Sequence, residues 1–138
     1  MSLHSPAYRI GVGQAKNLAE KLAKTVRGGE VFALVGELGS GKTTFAKHFG
    51  KALGVKNTIT SPTFILMQEY PAVRNEKGRQ PLFFYHLDMY RAFSPADVAA
   101  LGLEQIWGQP NTVTAIEWAD KIQRLLPPKT TFIYFKHN

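Results

Sequence analysis

The amino-acid sequence predicts an α/β fold with a mainly parallel sheet, a β-hairpin extension and flanking helices. Three observations predict it. An apolar strand, a glycine-rich turn and a helix follow one another over residues 30–53. Two β-rich runs enclose a polar loop at 71–81, which is typical of a hairpin. Short β-rich runs then alternate with helical segments, and residues 1–138 are expected to form a single domain.

In the first half of the chain, local sequence features predict each helix and strand. Residues 15–26 place apolar side chains on one helical face, and Gly28 and Gly29 are expected to end that helix. The continuous apolar run at 30–35 is typical of a strand buried on both faces of a parallel sheet. A helix is predicted for 43–53.

The second half alternates in the same way. A Ser94–Pro95 pair predicts a helix start, because serine caps helices and proline suits the first helical position. The remaining predicted elements are strands at 64–70, 82–88, 112–116 and 130–136, and a short helix at 119–126.

Composition and charge exclude several classes of protein. A hydrophobic fraction of 44% argues against wholesale disorder, and the absence of cysteine excludes disulfide scaffolds, thiolate metal sites and cysteine nucleophiles. Neither a membrane span nor a signal peptide is predicted, so a cytoplasmic protein is expected. Of the net charge of +7, +6 falls within residues 1–60. That excess favours nucleotide phosphates, RNA or an acidic partner, or it reflects a solvated surface.

Residues 36–43 match the phosphate-binding pattern G-x-x-x-x-G-K-[ST] at every position. Glycines allow backbone N–H groups to curl around a phosphate, and the helix that follows points its N-terminus at the anion. Lys42 is expected to reach the β- and γ-phosphates, and the Thr43 hydroxyl to bind Mg²⁺. The sequence therefore predicts a P-loop NTPase core. The predicted nucleotide-binding residues in it are Gly36, Leu38, Gly39, Ser40, Gly41, Lys42, Thr43 and Thr44.

Two carboxylates at strand ends are candidate metal ligands and catalytic residues. Asp88 and Glu117 each end an apolar, β-rich run. A P-loop needs a carboxylate on a neighbouring strand for Mg²⁺ and water, although each residue also suits an ordinary turn after a strand. Asp97 and Asp120 fall at helix starts, where a negative charge is favourable without any catalytic role.

Three other features have both a functional and a structural interpretation. His86 shares a strand face with Asp88, which favours a hydrogen bond beside the nucleotide or packing in the core. A zinc site is not predicted, because no third His or Cys lies nearby. Segment 61–63 follows the P-loop helix, where phosphate-sensing segments occur, and equally suits a plain turn. Trp118 suits stacking on a base or a partner as well as a place in the core.

Adenine is the predicted base. A GTPase would carry Asn-Lys-x-Asp for guanine and Asp-x-x-Gly after the metal-binding carboxylate, and the sequence has neither pattern. A small-molecule kinase is an alternative in which Arg74, Arg79 or Arg91 would clamp the transferred phosphate, but little chain is left for a lid or acceptor pocket. A non-catalytic, ATP-gated adaptor protein is a further alternative.

Five segments occur in a characteristic order and spacing. They are Gly-Glu-Leu-Gly-Ser-Gly-Lys-Thr-Thr-Phe (36–45), Ser-Pro-Thr-Phe (61–64), His-Leu-Asp-Met-Tyr-Arg (86–91), Leu-Gly-Leu-Glu (101–104) and Ile-Glu-Trp (116–118). Together they closely resemble the TsaE (YjeE) family of bacterial P-loop ATPases over nearly the whole chain. The P-loop alone is generic, whereas the other four segments in this spacing are specific.

The resemblance implies an ATPase that uses ATP and Mg²⁺ and works with the TsaB–TsaD pair in making N6-threonylcarbamoyladenosine on tRNA. Contact with tRNA is either indirect or made by Lys47 and Lys51, which lie four residues apart on one helix face and equally suit an acidic partner. The resemblance also implies phosphate and Mg²⁺ contacts for Lys42 and Thr43, a metal-side carboxylate at Glu117 and an essential aspartate at Asp88. The other residues with an implied role are Trp118, close to the nucleotide, and Ser61, Pro62 and Thr63, a switch-like loop.

Two departures from the family pattern affect the predicted site. Where the family often has threonine at the start of the first helix, this chain has Ala15, so nucleotide contact there would come from the backbone or from Gln14. The family also tends to continue past its last strand into a Gly-Arg segment, whereas this sequence stops at Asn138. An ATP contact from that arginine is therefore expected to be missing.

Overall fold

The computed structural model describes residues 7–11, 13–37, 39–60, 67–72, 82–90 and 95–136. Its strands are β1 (Ala7–Ile10), β2 (Val31–Gly36), β3 (Met67–Ala72), β4 (Leu82–Asp88), β5 (Thr112–Glu117) and β6 (Thr131–Phe135). Its helices are α1 (Ala15–Ala23), α2 (Lys42–Ala52), α3 (Pro95–Ala99), α4 (Leu103–Ile106) and a 3₁₀ helix (Ala119–Leu125). Within these residues the strands form one sheet in the order β1-β6-β2-β5-β4-β3.

The sheet is parallel except at one edge. The pairs β1–β6, β6–β2, β2–β5 and β5–β4 are parallel, and β3 pairs antiparallel with β4. The predicted α/β fold with a mainly parallel sheet and a β-hairpin extension is therefore confirmed. Because parallel strands end at the same edge, the last residues of β2, β4 and β5 lie side by side, with Asp88 paired in register with Glu117.

The core lies on both faces of the sheet. Helices α1 and α2 cover one face, where Phe45, Phe49 and Phe84 are fully buried. Residues of α3, α4 and the 3₁₀ helix cover the other face around Leu87 and Ile116. The apolar stripe predicted for the first helix supplies its buried side, and the polar side chains between those positions face solvent.

Four elements differ from the sequence prediction. Strand β1 was not predicted, because it is short and pairs only with the distant β6. Helix α4 was also not predicted; it has only four residues. Pro71, assigned to the loop, lies in β3, where an edge strand tolerates proline. The predicted helix over 119–126 is a 3₁₀ helix with non-helical backbone angles at Ile122.

The first helix ends earlier than predicted. It stops at Ala23, because the backbone N–H and hydroxyl of Thr25 both donate to the carbonyl of Leu22 and close the turn. Val26 remains buried, which shows why apolar spacing overestimated the helix: the spacing reports burial rather than helical hydrogen bonds. Predicted strand residues 64–66 and the Ser94 cap lie outside the described residues. In the described part of the chain, none of the helices has the length and apolar character that a membrane span requires.

Candidate functional site

The glycine-rich turn joins β2 to α2 at the carboxyl edge of the sheet. Gly36 is needed for close approach, because a Cβ there would stand 2.6 Å from the Ser40 hydroxyl oxygen and 2.9 Å from Phe135. Gly41 caps α2 with a φ of 111°, a left-handed conformation that suits glycine. The amides that begin α2 have no helical carbonyl to bond to, so the turn and the helix end offer N–H donors suited to phosphate.

Lys42 is held inside the turn. It is 4% exposed, and its ammonium donates to the carbonyl of Gly36 and, at 2.9 Å, to that of Glu37. The same Nζ lies 3.9 Å from the centre of the Trp118 ring. Burial lowers the pKa of Lys42 below its ordinary value of 10.5, an effect that nearby carboxylates, Glu117 first among them, oppose.

Thr43 contacts the carboxylate at the end of β5. Its hydroxyl donates to Oε1 of Glu117 at 2.8 Å, and Glu117 is 3% exposed. The second oxygen, Oε2, lies 2.6 Å from Nε2 of His86, which is fully buried. Both carboxylate oxygens are therefore engaged, one by the P-loop helix and one by the neighbouring strand.

Asp88 lies one strand further along the same edge. It is half-buried, and its Oδ1 accepts a hydrogen bond from the backbone N–H of Tyr90 at 2.9 Å. The register of β4 and β5 places it directly beside Glu117, at the usual strand spacing of about 4.8 Å. Two carboxylates and the Thr43 hydroxyl thus converge where the sequence predicted a Mg²⁺ site.

Trp118 follows Glu117 with a φ of 58°, the left-handed region that a non-glycine side chain rarely adopts. This conformation turns the chain sharply after β5 and sets the indole between two groups. One ring face is near Lys42, and the ring centre is 4.9 Å from that of Tyr90, which is half exposed. Lys121 in turn lies 5.0 Å from the Tyr90 ring centre. Sequence reasoning did not single out Tyr90, although it follows Asp88 by two residues.

The other predicted nucleotide-binding residues are distributed unevenly around the turn. Gly39 and Thr44 are exposed, whereas Ser40 is buried and its hydroxyl has no partner among the described residues. Ala15 lies next to the turn, with its Cβ 3.9 Å from a Cβ built on Gly41. The Gln14 side chain instead accepts a hydrogen bond from the Gly11 N–H at 2.6 Å. The predicted residues outside the described part are Leu38, Ser61, Pro62, Thr63, Arg74, Arg79 and Arg91.

The donor set fits magnesium with a nucleotide. Among the described residues there is no group of three or more His, Cys, Asp or Glu side chains that could hold a metal ion. Magnesium does not require one, since it is commonly bound by one or two carboxylates together with phosphate oxygens and water. Thr43, Glu117 and Asp88 are the side chains suited to hold it here.

Comparison with known proteins identifies the family. The family model described as "Threonylcarbamoyl adenosine biosynthesis protein TsaE" matches residues 12–138. A curated relative of that name from Nostoc is 41% identical over 109 residues, which are 77% of this chain and 62% of the relative. One from Bacillus subtilis is 37% identical over 124 residues, covering 89% of this chain and 72% of the relative.

A solved structure, that of YdiB from Bacillus subtilis, has the same fold. It superposes with a TM-score of 0.57 at 32% sequence identity, over 83% of this chain and 64% of that one. This chain thus spans somewhat less than two thirds of the length of YdiB and of the Nostoc relative. The match of the family model over nearly the whole sequence shows that the chain belongs to the TsaE family.

Proposed function

We propose that this chain is an ATPase that binds MgATP at residues 36–44 and takes part in making N6-threonylcarbamoyladenosine on tRNA in the cytoplasm. The observation that carries the proposal is the contact between the Thr43 hydroxyl and the buried Glu117 carboxylate, directly beside Lys42 in the P-loop. Membership of the TsaE family supports the link to tRNA modification.

Each group has a distinct task in the proposed reaction. The backbone of the turn and Lys42 would bind the phosphates. Thr43 and Glu117 would hold Mg²⁺, which when bound would neutralise charge on the phosphate oxygens. Asp88 shares the metal site with Glu117, or orients the attacking water through its carboxylate. The Trp118 ring centre lies 3.9 Å from the Lys42 ammonium, which supports a contact between the indole and the nucleotide.

The resting arrangement favours slow hydrolysis by the isolated chain. The Lys42 ammonium is bonded to carbonyls of its own loop. It must exchange these carbonyls for phosphate oxygens before it acts on a nucleotide. We therefore propose that the TsaB–TsaD heterodimer stimulates hydrolysis, and that hydrolysis resets the complex rather than modifying tRNA directly.

The proposal is tested by measuring phosphate release from ATP by the chain alone and with a TsaB–TsaD pair. Stimulation of at least about tenfold, lost in Lys42→Met and kept in Lys129→Met, is the expected result. Lys129 is the control, because it is exposed and precedes β6, at the edge of the sheet opposite the P-loop. Absence of both ATP binding and phosphate release would contradict the proposal.

The two alternatives have their own signatures in the same experiment. Retention of the partner pair only with ATP, without phosphate release even in the complex, would identify a nucleotide-gated adaptor. Stoichiometric phosphorylation of an acceptor would identify a kinase. Both outcomes are distinguishable from hydrolysis, because hydrolysis releases free phosphate and leaves no phosphorylated product.

Proton uptake should accompany nucleotide binding at alkaline pH. Burial lowers the Lys42 pKa in the free protein, so part of the population lacks that proton as the pH approaches 10.5. Phosphate charge favours the protonated form, so binding should take up protons to a growing extent as the pH rises toward 10.5. Calorimetric titrations in two buffers of different ionisation enthalpy measure this uptake. Equal proton uptake by the wild type and by Lys42→Met would contradict this prediction.

The exposed lysines of α2 are the proposed contact for tRNA held in the complex. Lys47 and Lys51 are exposed one helical turn apart on α2, which carries no acidic residue. Binding of the tRNA-loaded partner pair is measured against salt concentration. Lys47→Ala with Lys51→Ala should reduce the log–log slope by about two, since each phosphate contact contributes roughly 0.9. The double variant Lys129→Ala, Lys136→Ala is the control. Equal salt slopes in the two double variants would mean that Lys47 and Lys51 face solvent or a docked protein rather than tRNA.

A further inference from the structure

His86 is the buried group in contact with the site that the proposed reaction leaves without a task. It is fully buried in β4, and its Nε2 lies 2.6 Å from Oε2 of Glu117. An ionised carboxylate only accepts hydrogen bonds, so the proton of this bond lies on Nε2. The other ring nitrogen, Nδ1, has no partner among the described residues. Within the described part of the chain the imidazole therefore makes one hydrogen bond, and that bond goes to the predicted metal ligand.

Packing against neighbouring aromatic rings fixes the orientation of the His86 imidazole. Its ring stacks on Phe84 with 6.2 Å between centres and 8° between planes. The Phe84 ring in turn meets Phe49 of α2 edge-on at 5.7 Å. In register, His86 stands opposite Ala115, whose methyl group leaves room for the ring to reach Glu117 two residues further along β5. Packing thus points Nε2 at one oxygen of the carboxylate.

The two contacts on Glu117 divide its oxygens. His86 bonds Oε2, so the carboxylate cannot rotate without breaking a buried hydrogen bond. Oε1 is then left facing the Thr43 hydroxyl on the P-loop helix. Without the imidazole, Oε2 would be a buried acceptor short of a partner, and the side chain would be free to leave the position next to Thr43.

We propose that His86 is a positioning residue for magnesium: its hydrogen bond to Oε2 fixes Glu117 so that Oε1 and the Thr43 hydroxyl are held together as a preformed half of the metal site. The inference rests on the proposed function, since it assumes that Glu117 serves Mg²⁺. Groups that bond to a metal ligand typically change metal affinity or activity by 10–100-fold when removed. His86 should act on the concentration of Mg²⁺ that is needed, rather than on the binding of nucleotide without metal.

The test measures, by calorimetry on the full chain, the affinity for a non-hydrolysable ATP analogue over a range of Mg²⁺ concentrations. His86→Leu, which keeps volume but loses the donor, should raise the half-saturating Mg²⁺ concentration by about tenfold. Affinity without Mg²⁺ should stay within about twofold, because the contacts of His86 within the described residues are with Glu117 and Phe84 rather than with the P-loop. His86→Gln, whose amide nitrogen replaces Nε2, should remain within about threefold of the wild type. Saturating Mg²⁺ should restore most of the turnover in the complex with TsaB and TsaD, as a purely structural defect would not allow.

Leu87→Ala is the matched control for general destabilisation, since Leu87 is fully buried on β4 but faces the opposite core. Its Mg²⁺ dependence should equal that of the wild type. A folded His86→Leu with an unchanged Mg²⁺ requirement, or an equal shift in Leu87→Ala, would overturn the inference. If His86→Leu does not fold, the Mg²⁺ requirements of His86→Asn and His86→Gln are compared instead. The asparagine side chain is too short for its nitrogen to reach Oε2, so only His86→Asn should need more Mg²⁺. A wild-type chain that binds no nucleotide would instead contradict the proposed function.

Discussion

Lys42→Met is expected to lower the complex-stimulated kcat for ATP hydrolysis by about 10²–10³-fold, the loss typical of removing one preorganised group that stabilises transition-state charge. Lys42 is the cation placed inside the phosphate-binding turn, and it is already desolvated there at 4% exposure. A buried ammonium needs no further dehydration when a phosphate arrives, so its contribution in the site exceeds that of a surface lysine. Methionine keeps the apolar stem and most of the length of the side chain and removes the charge.

The comparison needs a fold control and a geometric control. Thermal unfolding of the unliganded Lys42→Met variant establishes that the fold is intact. Lys42→Arg should not restore activity, because a planar guanidinium cannot replace a compact ammonium between the turn and the Trp118 ring. If the turnover of Lys42→Met stayed within about threefold of the wild type, Lys42 would have no part in the reaction.

Glu117→Gln is expected to reduce Mg²⁺-dependent hydrolysis by at least about 100-fold, since disturbing even a partner of a metal ligand reaches that range. Glutamine has nearly the same shape and keeps a carbonyl oxygen for the Thr43 hydroxyl, while its NH₂ group replaces Oε2 and requires the His86 ring to carry its proton on Nδ1 instead. The free energy of unfolding without nucleotide should change little, because the desolvation cost of a carboxylate that is 3% exposed is removed together with its hydrogen bond from His86.

The measurements for Glu117→Gln are phosphate release in the complex and thermal unfolding of the free chain. Glu104→Gln is the control, since Glu104 is exposed on α4 on the other side of the sheet. If Glu117→Gln and Glu104→Gln lost activity equally, the loss would result from the change in the net charge of the protein rather than from the metal site. Wild-type activity in Glu117→Gln would leave Asp88 as the carboxylate that serves the metal.

The parts of the fold that could be predicted are those with a local signal. Spacing of apolar residues located α1, and the motif at 36–43 located the turn after β2 and the start of α2. The hairpin of β3 and β4 followed from two β-rich runs around a charged loop. In each case a few neighbouring residues determine the conformation, so the pattern can be read without knowing what packs against it.

Features that depend on contacts between distant residues could not be predicted in this way. Strand β1 exists because it pairs with β6 at the other end of the chain. The bond from His86 to Glu117 depends on the register of β4 against β5, and a shift of one residue would turn the imidazole to the opposite face. The left-handed turn at Trp118 likewise carries no signature in the residues around it.

Helix α2 reaches the Glu117 carboxylate by two routes. Thr43 in its first turn bonds the carboxylate directly, and Phe49, more than a turn later, supports Phe84 and through it the His86 ring. The interior of this chain and its reactive edge therefore cannot be redesigned separately. A core with the same total volume but a different side chain at position 49 would change the position of the Glu117 carboxylate. A substitution at position 49 must therefore be combined with others that restore the support of the His86 ring.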